Sequence, residues 1–169
     1  MAALERIYHD LSRKIHPDRF ASRDARIRDA SLRATALLTR SYRTLRDPTQ
    51  RGLYWLDLNG DKLGENNKRV PADLAELVFE VQEQLASMQD ASADAVADVE
   101  KRRSELQATM DETVAELERN FIRWDEVSPE TAQNRTMLTT ELKAILSKIA
   151  YLRTLIRDVD RALENSKAA

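Results

Sequence analysis

The tripeptide His16-Pro17-Asp18 is the sharpest chemical signal in the sequence. An imidazole and a carboxylate offer hydrogen-bond donors and acceptors, and the proline between them fixes one backbone torsion, so both groups are presented from a loop that resists collapse. At ordinary residue frequencies the tripeptide arises by chance in roughly one chain of this length in a hundred. Catalysis by His16 and Asp18 would also need a nucleophile, a pocket signature or a phosphate-binding glycine loop, and none accompanies them. The chain therefore reads as a non-enzyme. His9 and His16 are the only histidines and no cysteine occurs, so no metal site, cofactor, disulfide or thiol nucleophile is expected. The plainer alternative makes Pro17 a helix stop, Asp18 the cap of the next helix and His16 an ordinary loop residue.

Amphipathic helices must position the tripeptide. Leu4, Ile7, Tyr8, Leu11 and Ile15 recur at helical spacing until Pro17 ends the pattern. A second helix is expected to start within residues 22–26 and stop before Asp47-Pro48, with Ile27, Ala30, Ala34, Leu37, Leu38, Ser41 and Leu45 on its buried face. Two such helices joined by a short loop cover each other best when antiparallel, which puts the tripeptide at an exposed tip. A short third helix spans residues 48–58 and ends at Asn59-Gly60, and residues 60–70 read as a linker.

Three longer helices follow. The first covers residues 71–89, with Leu74, Leu77, Val78, Val81, Leu85 and Met88 as its stripe; the second covers residues 93–126, with Val96, Val99, Leu106, Met110, Leu117, Phe121 and Trp124. After Ser128-Pro129, a cap followed by a first-turn proline, the third carries Leu138, Leu142, Ile145, Ile149, Leu152, Ile156, Val159 and Leu163 at alternating intervals of four and three. Each is apolar along one stripe, so the three are expected to form an antiparallel bundle. The fold class is all-α, a helical hairpin followed by a three-helix bundle, with domains at 1–59 and 71–169.

Charge divides the same way. The first 51 residues hold 12 Lys/Arg against 6 Asp/Glu, and the remainder 15 against 23, which implies two surfaces for two partners, one acidic and one basic or neutral. Nine arginines against three acids between Arg19 and Arg51 also raise nucleic-acid binding, but no reading motif or aromatic platform supports it. The heptad-like later helices raise a purely structural coiled-coil role. No apolar run long enough to span a bilayer and no signal-peptide core is seen, so a cytoplasmic protein without membrane attachment is expected.

Around the tripeptide the sequence resembles a J-domain. A basic helix bearing Arg6, Arg13 and Lys14 precedes it, and Asp18-Arg19-Phe20 follows. The stretch from Leu11 to Phe20, then Tyr42-Arg43-Thr44-Leu45-Arg46-Asp47-Pro48, Arg51, Tyr54 and Leu56-Asp57-Leu58-Asn59-Gly60, is similar to the HscB family of iron-sulfur assembly co-chaperones, as is Tyr151-Leu152-Arg153-Thr154-Leu155. The resemblance implies a J-domain-like hairpin in which His16, Pro17, Asp18, Arg6, Arg13, Lys14 and Arg19 dock on a DnaK/HscA-type chaperone ATPase and stimulate it. It implies a three-helix domain that holds an IscU-type scaffold protein through Leu77, Val78, Phe79, Glu80, Glu83 and Tyr151. Periodicity adds that Phe79 lies about 140° from Leu74, off the buried stripe, with Glu76, Glu80 and Glu83 on the same outer side. The family begins with a further helix, so this J-domain is expected to lack its first helix and to expose apolar surface over residues 4–11 and 27–38. The cysteine-based zinc module of some eukaryotic relatives is absent.

Overall fold

The structure, a computed structural model, describes residues 1–63, 70–88, 93–126 and 131–168. Among them all regular structure is helical: α1 (Ala2–Ile15), a 3-10 turn (Pro17–Phe20), α2 (Ala25–Arg46), α3 (Pro48–Leu58), a second 3-10 turn (Ala72–Leu74), α4 (Ala75–Ser87), α5 (Ala93–Asp125) and α6 (Ala132–Ala168). The chain divides into two compact units, Met1–Leu58 and Asn59–Ala169. The expected cap at Ser128-Pro129 and most of the stretch expected as a linker lie outside the described residues.

In the first unit α1 and α2 run antiparallel. Ser31 and Thr35, near the start of α2, reach the carbonyl of Ile15 at the end of α1, while Tyr8 stacks on Tyr42 at the other end with ring centroids 4.2 Å apart. Asp24 caps α2 by accepting the Ile27 N–H at 3.0 Å. Asp47 caps α3, accepting the Gln50 N–H at 2.9 Å, and Pro48 occupies the first helical position, where a missing N–H costs nothing. The face of α2 toward α1 is Ser31, Ala34, Thr35, Leu38, Tyr42 and Leu45, rotated by roughly 60° from the expected one. Leu37, placed in the core by periodicity, is 66% exposed, and Ala30 and Ser41 are exposed with it. The reason is that small hydroxyl residues at 31 and 35 bond the end of α1, and this outweighs the deeper burial of Leu37. Ile7, Leu11, Ile27 and Leu32 are exposed as well, so residues 4–11 and 27–38 present apolar surface. Only Leu56 among the large apolar residues of this unit is buried, beside Thr49 and Gly52.

The second unit has a long core. Val99, Leu106, Met110 and Leu117 of α5 are buried against Leu138, Leu142, Ile145, Ile149, Leu152, Val159 and Leu163 of α6. Arg103 pairs with Asp160, and Arg123 with Glu141, which fixes these two helices antiparallel over about 50 Å at 1.5 Å per residue. Leu146 and Leu155 are also buried, off the single expected stripe, because α6 contacts both α4 and α5 and needs a broader apolar face. Leu74, Val81 and Met88 seat the third strut. Contacts at Glu80 and Arg102, at Arg103 and Asp160, and at Asp73 and Lys148 order the levels along the bundle, making α4 antiparallel to α5 and parallel to α6.

Two lysines of α6 pin the segments that lead into the bundle: Lys143 meets Asp61 at 2.5 Å and Lys148 meets Asp73 at 2.8 Å. The hydrogen bond from the Lys143 ammonium, helped by the Lys62 backbone N–H, holds the Asp61 carboxyl below the usual carboxylate range. A depressed folded pKa gives a contribution that is complete above the unfolded value of about 4 and is lost as pH falls through the folded one. Carboxyl-carbon NMR should therefore find the Asp61 midpoint below that of an ordinary Asp, and Lys143→Ala should raise it toward the ordinary range, the Lys62 N–H bond remaining. An ordinary midpoint in the parent chain would show that the pin is open in solution.

Candidate partner-binding surfaces

The tripeptide lies where α1 cannot continue. Proline disfavours helical geometry in the residue before it, and His16 is extended, with φ −58° and ψ 133°. The chain then turns through the short 3-10 segment, closed by Arg19 N–H to the His16 carbonyl at 3.0 Å. His16 Nδ1 accepts the Asp18 backbone N–H at 3.3 Å, so in the neutral ring the proton resides on Nε2 as a free donor. The Asp18 carboxylate lies 3.4 Å from the same Nδ1 and is 88% exposed; protonation of the ring would turn this contact into an ion pair. Asp18 does not cap α2, since Asp24 does, so the capping role leaves Asp18 unexplained. What remains is a turn that displays an imidazole N–H and a carboxylate to solvent.

Arg6 and Arg13 lie seven residues apart on the side of α1 turned away from α2. Arg13 is tied to Asp10 at 2.6 Å, and Arg19 donates to the Arg13 carbonyl at 3.4 Å, drawing the arginines of the helix and the turn together. Lys14 is exposed on a flank. These groups make a cationic surface running from α1 to the tripeptide, suited to an acidic partner.

The second candidate surface is on α4. Phe79 is 70% exposed, with Glu76 and Glu83 one turn away on either side, both exposed. Leu77 and Val78 are half-buried on opposite flanks. Tyr151 is half-buried on the flank of α6 that also carries Lys148, which the Lys148–Asp73 pair places at the level of the first turn of α4. Glu80 departs from the expected outer side. It pairs with Arg102 of α5 at 3.0 Å, because at 100° per residue it falls between the buried line and the outer face. Sequence reasoning missed Arg102 and Ser31; only the Lys101-Arg102-Arg103 run within an acid-rich helix hinted at the first.

A helical hairpin with an exposed His-Pro-Asp turn, in a chain that also forms a three-helix bundle, defines the class of fold. No family model matches the chain. Among solved structures, the chaperone HscB from Vibrio cholerae is similar in fold, with a TM-score of 0.61 at 22% sequence identity over 97% of this chain and 88% of that one. Among the described residues no helix is long and apolar enough to cross a membrane, and no three His, Cys, Asp or Glu side chains converge as a metal site.

The Ile15 carbonyl, which immediately precedes His16, accepts the Ser31 hydroxyl at 2.6 Å and the Thr35 hydroxyl at 3.4 Å. Ser31→Ala should loosen this join and cost about 1 kcal/mol, the usual net worth of such a bond. Faster amide hydrogen exchange over the last turn of α1 is the expected result; unchanged exchange would mean that Thr35 alone suffices.

Proposed function

We propose that the chain is a J-domain co-chaperone that stimulates the ATPase of a DnaK/HscA-type chaperone and delivers an IscU-type iron-sulfur scaffold protein to it. The observation that carries this reading is the exposed His16-Pro17-Asp18 turn at the end of a basic helix. Pro17 keeps the turn open, His16 and Asp18 supply hydrogen-bonding groups, and Arg6, Arg13, Lys14 and Arg19 supply the charge that would attract an acidic face of the ATPase. The likeness of fold to chaperone HscB supports the pairing of this hairpin with a client-holding bundle.

On the bundle, the scaffold is held by α4 and the adjacent flank of α6. Phe79 offers an exposed apolar group, with Leu77 and Val78 half-buried on the flanks of the same helix and Tyr151 half-buried on α6, and the exposed carboxylates of Glu76 and Glu83 offer an acidic rim, the usual anatomy of a protein-binding patch. The protein itself does no chemistry in this reading. It raises the chaperone's hydrolysis when the client is present, so its effect should be synergistic with the scaffold.

The test is steady-state ATP hydrolysis by an HscA-type chaperone, with this protein and an IscU-type scaffold added singly and together. Stimulation above the sum of the separate effects, lost in His16→Gln with helicity and scaffold binding intact, is the expected outcome. Equal stimulation by His16→Gln would remove the tripeptide from the mechanism.

For the bundle, Phe79→Ala and Tyr151→Ala should each weaken scaffold binding by 1–3 kcal/mol in calorimetry, roughly 5- to 150-fold, with an unchanged thermal midpoint for Phe79→Ala. Parent-like affinity in both would move the client surface elsewhere.

A further inference from the structure

Arg102 of α5 combines two ion pairs with a side-chain hydrogen bond, and two of these three contacts reach α4. It is only 19% exposed, and its guanidinium reaches three groups: Glu80 Oε2 from Nη2 at 3.0 Å, Gln84 Oε1 from Nε at 2.8 Å, and Glu105 Oε2 from Nη1 at 2.9 Å. Glu80 and Gln84 are one turn apart on the same flank of α4, so a planar, rigid group on α5 grips this helix at two points. Two points along one flank fix rotation about the helix axis as well as position along it. The apolar seating, through buried Leu74, Val81 and Met88 with Leu77, Val78 and Leu85 half-buried beside them, is made of non-directional contacts, and a slip of one residue would swing Phe79 by about 100°.

Glu76 and Glu83, by contrast, are exposed and pair with no side chain among the described residues. They are seven residues apart, two turns or about 10 Å along the axis, with Phe79 between them. We infer that Glu80 is an anchor rather than a reading group, and that α4 recognises its partner through Phe79 and the free carboxylates of Glu76 and Glu83. The partner surface that fits has an apolar pocket for one aromatic ring and two Lys or Arg groups about 10 Å apart, one on each side of it. Arg102 is then a positioning residue for the client surface, and this inference rests on the client-binding reading of α4.

The two roles for Glu80 predict opposite effects of removing Arg102. If Glu80 touched the partner, Arg102→Met would free a carboxylate for it and leave binding unchanged or tighter. As an anchor, its loss lets α4 turn. Calorimetry with the full chain and an IscU-type scaffold should give a loss on the order of tenfold for Arg102→Met, a similar loss for Glu83→Gln, and near-parent affinity for Glu80→Gln, whose amide oxygen still accepts from Arg102. Binding by Arg102→Met as tight as the parent, or a loss in Glu80→Gln as large as in Glu83→Gln, would overturn the assignment. Amide hydrogen exchange across α4 without any partner separates this from the client reading: Arg102→Met and Glu80→Ala should both speed it, and unchanged exchange would sink the anchor. A parent chain that ignores the scaffold would remove the client reading while the exchange result still decides the role of Arg102.

Discussion

Proline at position 17 has no N–H to give a helix and forbids helical geometry at His16, and the hairpin is organised around that constraint. α1 must stop at Ile15, which leaves its last carbonyls without intrahelical donors. Ser31 and Thr35 supply hydroxyls to the Ile15 carbonyl, and that demand sets which face of α2 turns inward. Once Ser31 is fixed against the end of α1, the register brings Tyr42 over Tyr8, with the Arg46 guanidinium 5.9 Å from the Tyr42 ring centroid. His16 closes the turn locally by accepting the Asp18 N–H, and both side chains still face solvent. The residues that end the helix and those that are displayed belong to one four-residue stretch, so the display cannot be lost without losing the turn.

The bundle obeys a different constraint. Its helices contain many acids, and an acidic outer face on α4 would repel its neighbours if the carboxylates were left to solvent screening alone. The structure spends cations where helices meet: Arg102 on α4 and α5, Arg103 and Arg123 between α5 and α6, Lys143 and Lys148 on the incoming segments. Most of these pairs are partly exposed and individually weak. Their value is geometric, since each one fixes the level of one element against another, while buried leucine, isoleucine and valine side chains supply the bulk of the stabilisation at roughly 1.5–3 kcal/mol apiece. Among the described residues, Glu76 and Glu83 take no part in this internal pairing and are exposed.

Periodicity made the helices and the α5 and α6 stripes legible, because a 3.6-residue repeat of large apolar side chains over 30 residues has few competing explanations. It failed on α2, where leucines occur on several sides and the inward face is chosen by two hydroxyls. Leu37 looked like core and is exposed, while Ser31, absent from the expected face, is buried, since a polar bond across 16 residues leaves no trace in a hydropathy pattern. The tripeptide was legible as a motif with its exposed setting. Phe79 was legible as an outward aromatic. The division between Glu80 and its neighbours was not, because it depends on a cation from another helix 22 residues further along the chain.

The two units also differ in how firmly they hold their displayed groups. The bundle buries apolar side chains along its whole length, whereas the hairpin buries Leu56 and otherwise relies on half-buried residues and a few polar bonds, with Ile7, Leu11, Ile27, Leu32 and Leu37 exposed. A unit with so thin a core opens locally at low cost. A partner that docks on the turn and on α1 therefore stabilises the hairpin as it binds, and part of its binding energy goes into ordering. Phe79 is carried on a helix already seated against two others, so the same cost is small there. In the proposed function, this asymmetry would favour a persistent grip by the bundle and a weaker, conditional engagement by the hairpin, the division of labour that holding one protein while transiently engaging another requires.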